Sequence, residues 1–596
     1  MSLFPPRATP SRSHLLTLKD LPLQAGRARV LTLIRASNGG LMVLALLVGA
    51  GAGAGAIAFR WLIKTFTMIL SGHPDYAGLG HVANPHVPGL GRWFVLLSPV
   101  VAGLLYGPLV YFFAREARGH GVPEVMFAVA RRGGRIAPKV AAVKALASAL
   151  CIGGGGSVGR EGPIVQIGSA LGSTLGQLAR VSESRMRLLV ACGAAGGIAA
   201  TFNAPLAGVF FAMELILRDF AAQSFGMVVL SSVTASVIGR AVLGNAPFLH
   251  LPAFGVQHLS QYAFFAILGL LSGVVGVAFT RVLYLIEDGC DWLWRGPEWL
   301  RPAIGGVALG VVLLVLPEMY GVGYPVLGAS IVGKYSIGIL LILLVGKVIA
   351  TSLTIGIGGS GGVFAPSLFI GAMLGAAYGQ TLQNIAPTSA GPAGAYAMIG
   401  MGAVFAGAAR APITSVVMLF ELTGEYKVIL PLMTAIVLAT AVSHLLTADS
   451  IYSLKLRRRG INLEDAPRAS VLTTVTVGEV MKPVGPSLAK ETTLLEAAAA
   501  LAFVPAGQLP VVDAAGSYLG IITSRAVAET LADGDHDQSF VLSIVEMIDA
   551  VGAEVRLSDA LDALESARGA IPVLDPGRTT LVGWLTHQRV LSALRN

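Results

Sequence analysis

Charge is what this sequence has least of. Only 13% of its 596 residues are Asp, Glu, Lys or Arg, against about 25% in soluble domains. A water-soluble globular chain is therefore excluded for most of the length. Acids are scarcer than bases, 33 against 42, and a cation pathway needs clustered intramembrane carboxylates, so a regulated cation transporter is the remote alternative. Cysteine occurs three times, at Cys151, Cys192 and Cys290. Three scattered thiols make neither a disulfide framework nor a metal site. Histidine is rare in the apolar stretches and no His/Asp nucleophile set accompanies their Ser and Thr. An intramembrane hydrolase, or any enzyme, is not expected. The first 38 residues lack an apolar run before Leu41 and carry Arg7, Arg12, Lys19, Arg27, Arg29 and Arg35 against Asp20. No cleavable signal peptide is expected, and 1–38 reads as a basic cytoplasmic N-terminus.

Apolar length and glycine are what the sequence does have. Hydrophobic residues make up 54%, glycine is 74 of 596, and the mean hydropathy is +0.73. That combination predicts a polytopic membrane protein whose helices pack closely and break inside the bilayer. The net charge of +9 then reads as topology and attraction to membrane lipid, not nucleic-acid binding. Apolar stretches fall near 40–64, 93–114, 140–152, 163–179, 187–217, 225–244, 260–286, 302–316, 334–354, 363–383, 394–422 and 428–447. Several are shorter than the roughly 20 residues of a spanning helix, and others hold two short helices. Tilted, broken and re-entrant helices are expected.

Two stretches about 200 residues apart share a pattern. Gly155/Gly358, Gly156/Gly359, Ser157/Ser360, Gly159/Gly362 and Pro163/Pro366 coincide, as do Gly168/Gly371, Gly172/Gly375 and Gln177/Gln380. Ala204-Pro205 with Glu214 is matched by Ala411-Pro412 with Glu421. Such a repeat of Gly-broken apolar segments points to a transport site. The repeats run roughly 40–245 and 255–450, inside a membrane domain of 39–460.

Three Gly-rich segments each lead into a helical stretch through a proline: Gly119-His120-Gly121-Val122-Pro123, Gly159-Arg160-Glu161-Gly162-Pro163 and Gly362-Val363-Phe364-Ala365-Pro366. Glycine lets backbone N–H groups approach a ligand, and proline suits the first helical turn. Open N–H groups and the helix dipole make such starts anion sites. Three converging starts make an anion path that relies on partial charge and can release what it binds. The run Gly154 to Gly159 lacks the Lys and Ser/Thr of a phosphate-binding loop, so that reading fails.

In these motifs the chain resembles the CLC chloride channel and transporter family, whose GSGIP, GREGP and GxFxP signatures come in this order and spacing, with Tyr452 at the matching tyrosine. The resemblance covers roughly 40–455. It implies an all-α membrane domain of two inverted repeats, a homodimer with one pore per subunit, and transport of chloride or a similar small anion without metal or organic cofactor. It implies that Glu161 is the gating glutamate, which mimics a bound halide and swings out when protonated or displaced. Phe364 then offers a backbone N–H and Tyr452 an uncharged hydroxyl to the central anion.

Two departures bear on function. The serine of GSGIP is His120 here, whose ring N–H can donate and which ordinarily becomes cationic near pH ~6.5; pH sensitivity or altered selectivity is expected. The second glutamate of proton-coupled relatives falls on Leu215, beside Glu214, so the proton path is incomplete and the reading leans to a voltage-gated-type chloride channel, with a proton-coupled antiporter as the alternative. Glu214 also reads as structural, since Glu421 is its repeat mate.

Lys455-Leu456-Arg457-Arg458-Arg459 is a basic stop, cytoplasmic by charge, so a multi-pass protein of a bacterial inner or plasma membrane with both termini cytoplasmic is expected. A linker, 461–473, leads to a soluble α/β tail. There Leu509-Pro510-Val511 parallels Ile571-Pro572-Val573, and Gly520 to Thr523 parallels Gly583 to Thr586. This tail resembles a cytoplasmic tandem CBS pair, 474–594, with halves near 474–533 and 540–594. In many CBS modules a Thr or Ser and an acid three residues later hold a ribose. Thr523 and Thr586 are present, but the acid positions are Ala526 and Arg589. A structural pair is expected, with an adenine nucleotide held through other contacts as the alternative.

Overall fold

Every apolar stretch becomes helix in the computed structural model, which describes residues 37–245, 259–462, 475–504, 507–532, 539–566, 570–577 and 579–593. The N-terminal bases and nearly all of the linker lie outside the described residues. The chain divides into two units, 1–461 and 462–596.

The first unit builds one set of helices twice. Its first half holds α1 (Asn38–Ser71), α2 (Phe94–Phe113), α3 (Val122–Arg131), α4 (Lys139–Gly153) and α5 (Glu161–Ala179). Then come α6 (Glu183–Phe202), α7 (Pro205–Phe211), which continues as a π-helical turn over Ala212–Leu217, and α8 (Ala222–Leu243). The second half repeats the order with α9 (Gln261–Leu293), α10 (Arg301–Val315), α11 (Tyr324–Ile331), α12 (Ile337–Gly356) and α13 (Phe364–Ile385). It closes with α14 (Ala393–Ala409), α15 (Pro412–Thr423) and α16 (Ile429–Leu446), followed by the short α17 (Ser453–Arg457). As expected, the stretches 187–217 and 394–422 each split into two helices, at Ala204-Pro205 and Ala411-Pro412, because proline cannot continue a helix through its missing N–H. The expectation missed α11, which is too short and too glycine-flanked to stand out by hydropathy.

Seven helical segments among the described residues are long and apolar enough to cross a membrane. They present Leu47, Val237, Leu285 and Leu430 outward, each at least half exposed, as a lipid-facing surface requires. The equivalent pairs α5/α6 and α13/α14 sit inside and touch almost backbone to backbone. A Cβ on Gly168 would lie 2.1 Å from the Gly193 carbonyl oxygen, and one on Gly371 would lie 2.2 Å from that of Gly400. Small residues at a crossing permit this approach.

The second unit holds α18 (Val477–Val480), β1 (Lys482–Pro483), β2 (Leu488–Ala489), α19 (Leu494–Leu501), β3 (Gln508–Val512), β4 (Tyr518–Thr523) and α20 (Ser524–Ala532). β5 (Val551–Gly552), α21 (Leu557–Ser566), β6 (Ala570–Leu574), β7 (Leu581–Thr586) and α22 (His587–Ala593) follow. Capping boxes, Thr476 with Glu479 and Thr493 with Glu496, start α18 and α19 by satisfying the first open N–H groups. The parallels read in the sequence are β3/β6 and β4/β7, in one register: Pro510 faces Ile521 and Pro572 faces Trp584.

Within the described residues the two halves of the tail interlock. β1 pairs with β7, giving the sheet order β1-β7-β6-β5, while Glu546 pairs with Ile521 of β4. Val477 is buried with Leu557, Val573 and Leu585, and Val541 with Leu494, Leu509 and Ile522. Each half lends its first segment to the other's core, because a short apolar segment goes where a sheet edge is open. Val477→Ala is expected to cost about 1–3 kcal/mol. Amide exchange should quicken in β6 and β7 while β3 and β4 stay protected; the reverse would reject the exchange of segments.

Candidate functional site

The three Gly-rich segments meet, and they meet through backbone. Gly119 N–H donates to the Gly359 carbonyl at 3.1 Å, and Gly361 N–H donates to that of Gly119 at 3.3 Å. Gly159 and Gly362, which are repeat mates, exchange two bonds of 2.7 and 2.6 Å. A residue bonded reciprocally to its own mate marks a local two-fold between the repeats. Glycine is required here by space: a Cβ on Gly162 would lie 1.9 Å from the His120 carbonyl oxygen.

Proline limits how many donors each start leaves open. In α13 the first internal bond is Ser367 N–H to Val363 O at 3.0 Å, and Pro366 has no N–H, so Phe364 and Ala365 supply the open amides. In α5 the first bond is Ile164 N–H to Arg160 O at 3.1 Å, which leaves Glu161 and Gly162. In α3, Val125 N–H reaches Gly121 O at 3.3 Å, and Pro123 leaves Val122 as an open amide. Open amides at a helix N-terminus are groups that can receive an anion.

The Glu161 carboxylate lies across this meeting point, 1% exposed. Its Oε2 accepts from Ala365 N–H at 3.3 Å and its Oε1 from the Tyr324 hydroxyl at 2.7 Å. The side chain thus seats its own negative charge on the start of α13. Arg160 stacks its guanidinium over Phe202 and Tyr324, 5.5 and 5.0 Å from the ring centroids.

Two fully buried lysines fix the loops around it. Lys144 Nζ donates to the carbonyls of Ala117 and Gly119 at 2.9 and 2.8 Å. Its counterpart Lys347 donates to Gly321 and Val322 at 3.1 and 3.0 Å and to Ser157 Oγ at 2.9 Å. Neither ammonium has a carboxylate within ion-pair distance among the described residues. Two buried cations that hold only neutral acceptors bias the interior toward an anion.

His120 is 3% exposed, and neither ring nitrogen has a hydrogen-bond partner among the described residues. A buried imidazole left open in this way has donor capacity to spare for a ligand. Its ring lies 6.2 Å from that of Tyr284, whose hydroxyl donates to the Ile451 carbonyl at 2.6 Å. Tyr452, the next residue, is 1% exposed. Phe364 is wedged between Phe202 and Phe405, at centroid distances of 5.9 and 4.4 Å. The expected basic stop behind Tyr452 is ion-paired: Lys455 to Glu287, Arg457 to Asp449 at 3.0 Å, Arg458 to Asp288 and Arg459 to Glu124 at 2.5 Å. A cavity of about 420 Å³ opens beside Gly119, with Arg118, Arg301, Lys455 and Glu287 in its wall.

Glu214 goes elsewhere. Its carboxylate accepts from Ile413 N–H at 3.1 Å, Thr414 N–H at 2.8 Å and Thr414 Oγ1 at 2.6 Å, capping α15. Glu421 returns the favour to α7 through Leu206 and Ala207 N–H at 3.0 and 2.7 Å. A carboxylate on a helix start is favoured by the dipole and the open amides. Both oxygens of Glu214 are taken up in this way, and Leu215 beside it is buried. Thr523 and Thr586 are also caps, accepting from Ala526 and Arg589 N–H at 3.2 and 3.3 Å.

Tyr324, Lys144 and Lys347 were missed from sequence. The signal for the first was present: Gly321-Val322-Gly323-Tyr324-Pro325 repeats the Gly-x-Gly-x-Pro of Gly119 to Pro123. It makes a fourth helix start, mate of the first.

A family model described as "Voltage gated chloride channel" matches residues 102–444, and one described as "CBS domain" matches 477–533. A putative chloride channel protein ClcB-like of Ralstonia nicotianae is 34% identical over 436 residues, 72% of this chain and 100% of that protein. The H(+)/Cl(-) exchange transporter ClcA of Vibrio parahaemolyticus is 36% identical over 374 residues, 61% of this chain and 79% of the relative. Among solved structures, a slow cyanobacterial Cl-/H+ antiporter superposes with a TM-score of 0.63 at 26% identity, over 70% of this chain and 97% of that one. A eukaryotic CLC transporter superposes with a TM-score of 0.62 over 94% of this chain and 98% of that one; at 23% identity this is likeness of fold.

Glu214→Ala is expected to lower the stability of the purified protein by about 0.5–2 kcal/mol, the cost of a lost cap, and to leave the ratio of protons to anions moved unchanged. A changed ratio with unchanged stability would return Glu214 to the proton path.

Proposed function

The chain belongs to the voltage gated chloride channel (CLC) family, and from that premise we propose that it passes chloride or a similar small anion along the path where the Gly-rich helix starts meet, with Glu161 as the gate. The observation that carries this is the seat of Glu161: a buried carboxylate that accepts from an α13 amide and a tyrosine hydroxyl occupies a place built for an anion. Phe364 and Tyr452 serve the central anion, with His120 in place of the expected serine. Amides and uncharged hydroxyls bind an anion weakly enough for it to leave.

Movement of the anion without obligatory proton exchange is the reading we favour. Leu215 cannot carry a proton, and the oxygens of Glu214 are engaged by α15. Exchange is the second reading, supported by relatives such as ClcA, named as an H(+)/Cl(-) exchange transporter. We further propose a homodimer with one pore per subunit in a bacterial inner membrane, termini on the cytoplasmic side. The CBS pair is proposed to support it in a structural role, its two threonine hydroxyls capping helices.

In liposomes with a chloride gradient as the only driving force, chloride efflux is expected while external pH stays constant; uphill proton movement would instead establish the exchanger. Glu161→Ala should raise chloride flux several-fold and flatten its pH dependence. His120→Ser should change both the pH profile and the chloride/nitrate flux ratio. If both stay as they were, His120 contributes only its backbone.

A further inference from the structure

The gate reading leaves unexplained why the carboxylate stays seated. Its amide partner is distant, 3.3 Å from Oε2, whereas the Tyr324 hydroxyl stands 2.7 Å from Oε1. Resting on the gate reading, we propose that Tyr324 is the latch of the gate, a positioning residue that holds Glu161 in the anion's place through its hydroxyl.

The surroundings support that role. Tyr324 opens α11, and the loop before it is held rigid: Lys347 binds the carbonyls of Gly321 and Val322, and Gly323 adopts φ +90. The ring is steadied by the Arg160 guanidinium 5.0 Å from its centroid. The hydroxyl is therefore aimed before the carboxylate arrives. Tyr324 is part-buried and Glu161 is 1% exposed. The position is not dictated by the repeat, because its mate is Val122, which has no hydroxyl. An O–H donated to a carboxylate is roughly twice as strong as one donated to a neutral group. The latch thus holds the charged glutamate and weakens on protonation. The other charged or titratable groups acting on Glu161 are its neighbour Arg160, Lys347 on α12 and Tyr452; Arg60 in turn acts on Arg160 and Tyr324. Tyr324→Phe removes the hydroxyl, and with it both the bond to Glu161 and the hydroxyl's bond with Arg160, while the ring and the remaining groups stay.

The test is a double-mutant cycle on the full-length protein in liposomes: wild type, Tyr324→Phe, Glu161→Ala and both together, with chloride flux followed from pH 4.5 to 8. Tyr324→Phe is expected to raise flux at neutral pH by about tenfold, the scale of one charge-assisted hydrogen bond. It should also move half-maximal flux to higher pH, and change nothing further once Glu161 is alanine. Unaltered flux and pH profile in Tyr324→Phe would overturn the latch. So would an effect of equal size on the Glu161→Ala background, since that is a structural role. Should Glu161→Ala alone leave flux and pH profile unaltered, the gate reading falls, and the latch with it.

Discussion

Backbone hydrogen bonds between glycines hold this membrane unit together at its centre. Gly119 with Gly359 and Gly361, and Gly159 with Gly362, join loops that would otherwise strand peptide groups in a place without water. Irregular backbone at membrane depth survives only where protein satisfies it. Those bonds use one part of each loop and leave the next amides, at the helix starts, without a partner inside their own helix. The site is what remains after the loops have satisfied one another. Lys144 and Lys347 complete the arrangement by taking up carbonyls that the loops leave over.

Physical economy follows from the two-fold. Each repeat supplies a Gly-x-Gly-x-Pro start, a long central helix with a Gly-rich start and a buried lysine behind them. Each also supplies an acid, Glu214 or Glu421, that caps a short helix of the other repeat. A cap given across the interface ties the repeats at a second place, away from the path. Function then enters where the mates differ. Glu161 is matched in the repeat by Phe364, His120 by Val322 and Val122 by Tyr324. The symmetric part is scaffold, and the asymmetric residues include the Glu161 carboxylate and the Tyr324 hydroxyl that donates to it. The CBS pair uses a related device, each half placing its first segment in the other's core. Both units are thereby made of halves that cannot fold independently without exposing apolar surface or open amides.

Much of this was legible in the sequence because it is local. Gly and Pro at fixed spacing declare helix starts, hydropathy declares spans, and a carboxylate among glycines in an apolar run declares function. That some apolar stretches hold two helices, that the Gly–Pro segments open helices, and that β3 parallels β6 and β4 parallels β7 were legible in this way. α11 was not, since eight residues flanked by glycine carry too little hydropathy to be noticed. Nor was the fourth helix start, though its spacing lay in plain view, because tyrosine stood where the first start has valine.

Sequence by itself determined that this is a membrane protein of two like halves with Gly–Pro helix starts and one carboxylate, Glu161, among them. Tertiary structure alone decided which donors meet that carboxylate, what Glu214 caps and how the halves of the tail interlock. The reason is physical. Helix starts and spans follow from backbone preferences within a few residues, whereas Tyr324 meets Glu161 across 163 positions of chain and Glu214 meets Thr414 across 200. Such pairings depend on how close packed helices come, which at this site is governed by the missing side chains of glycine.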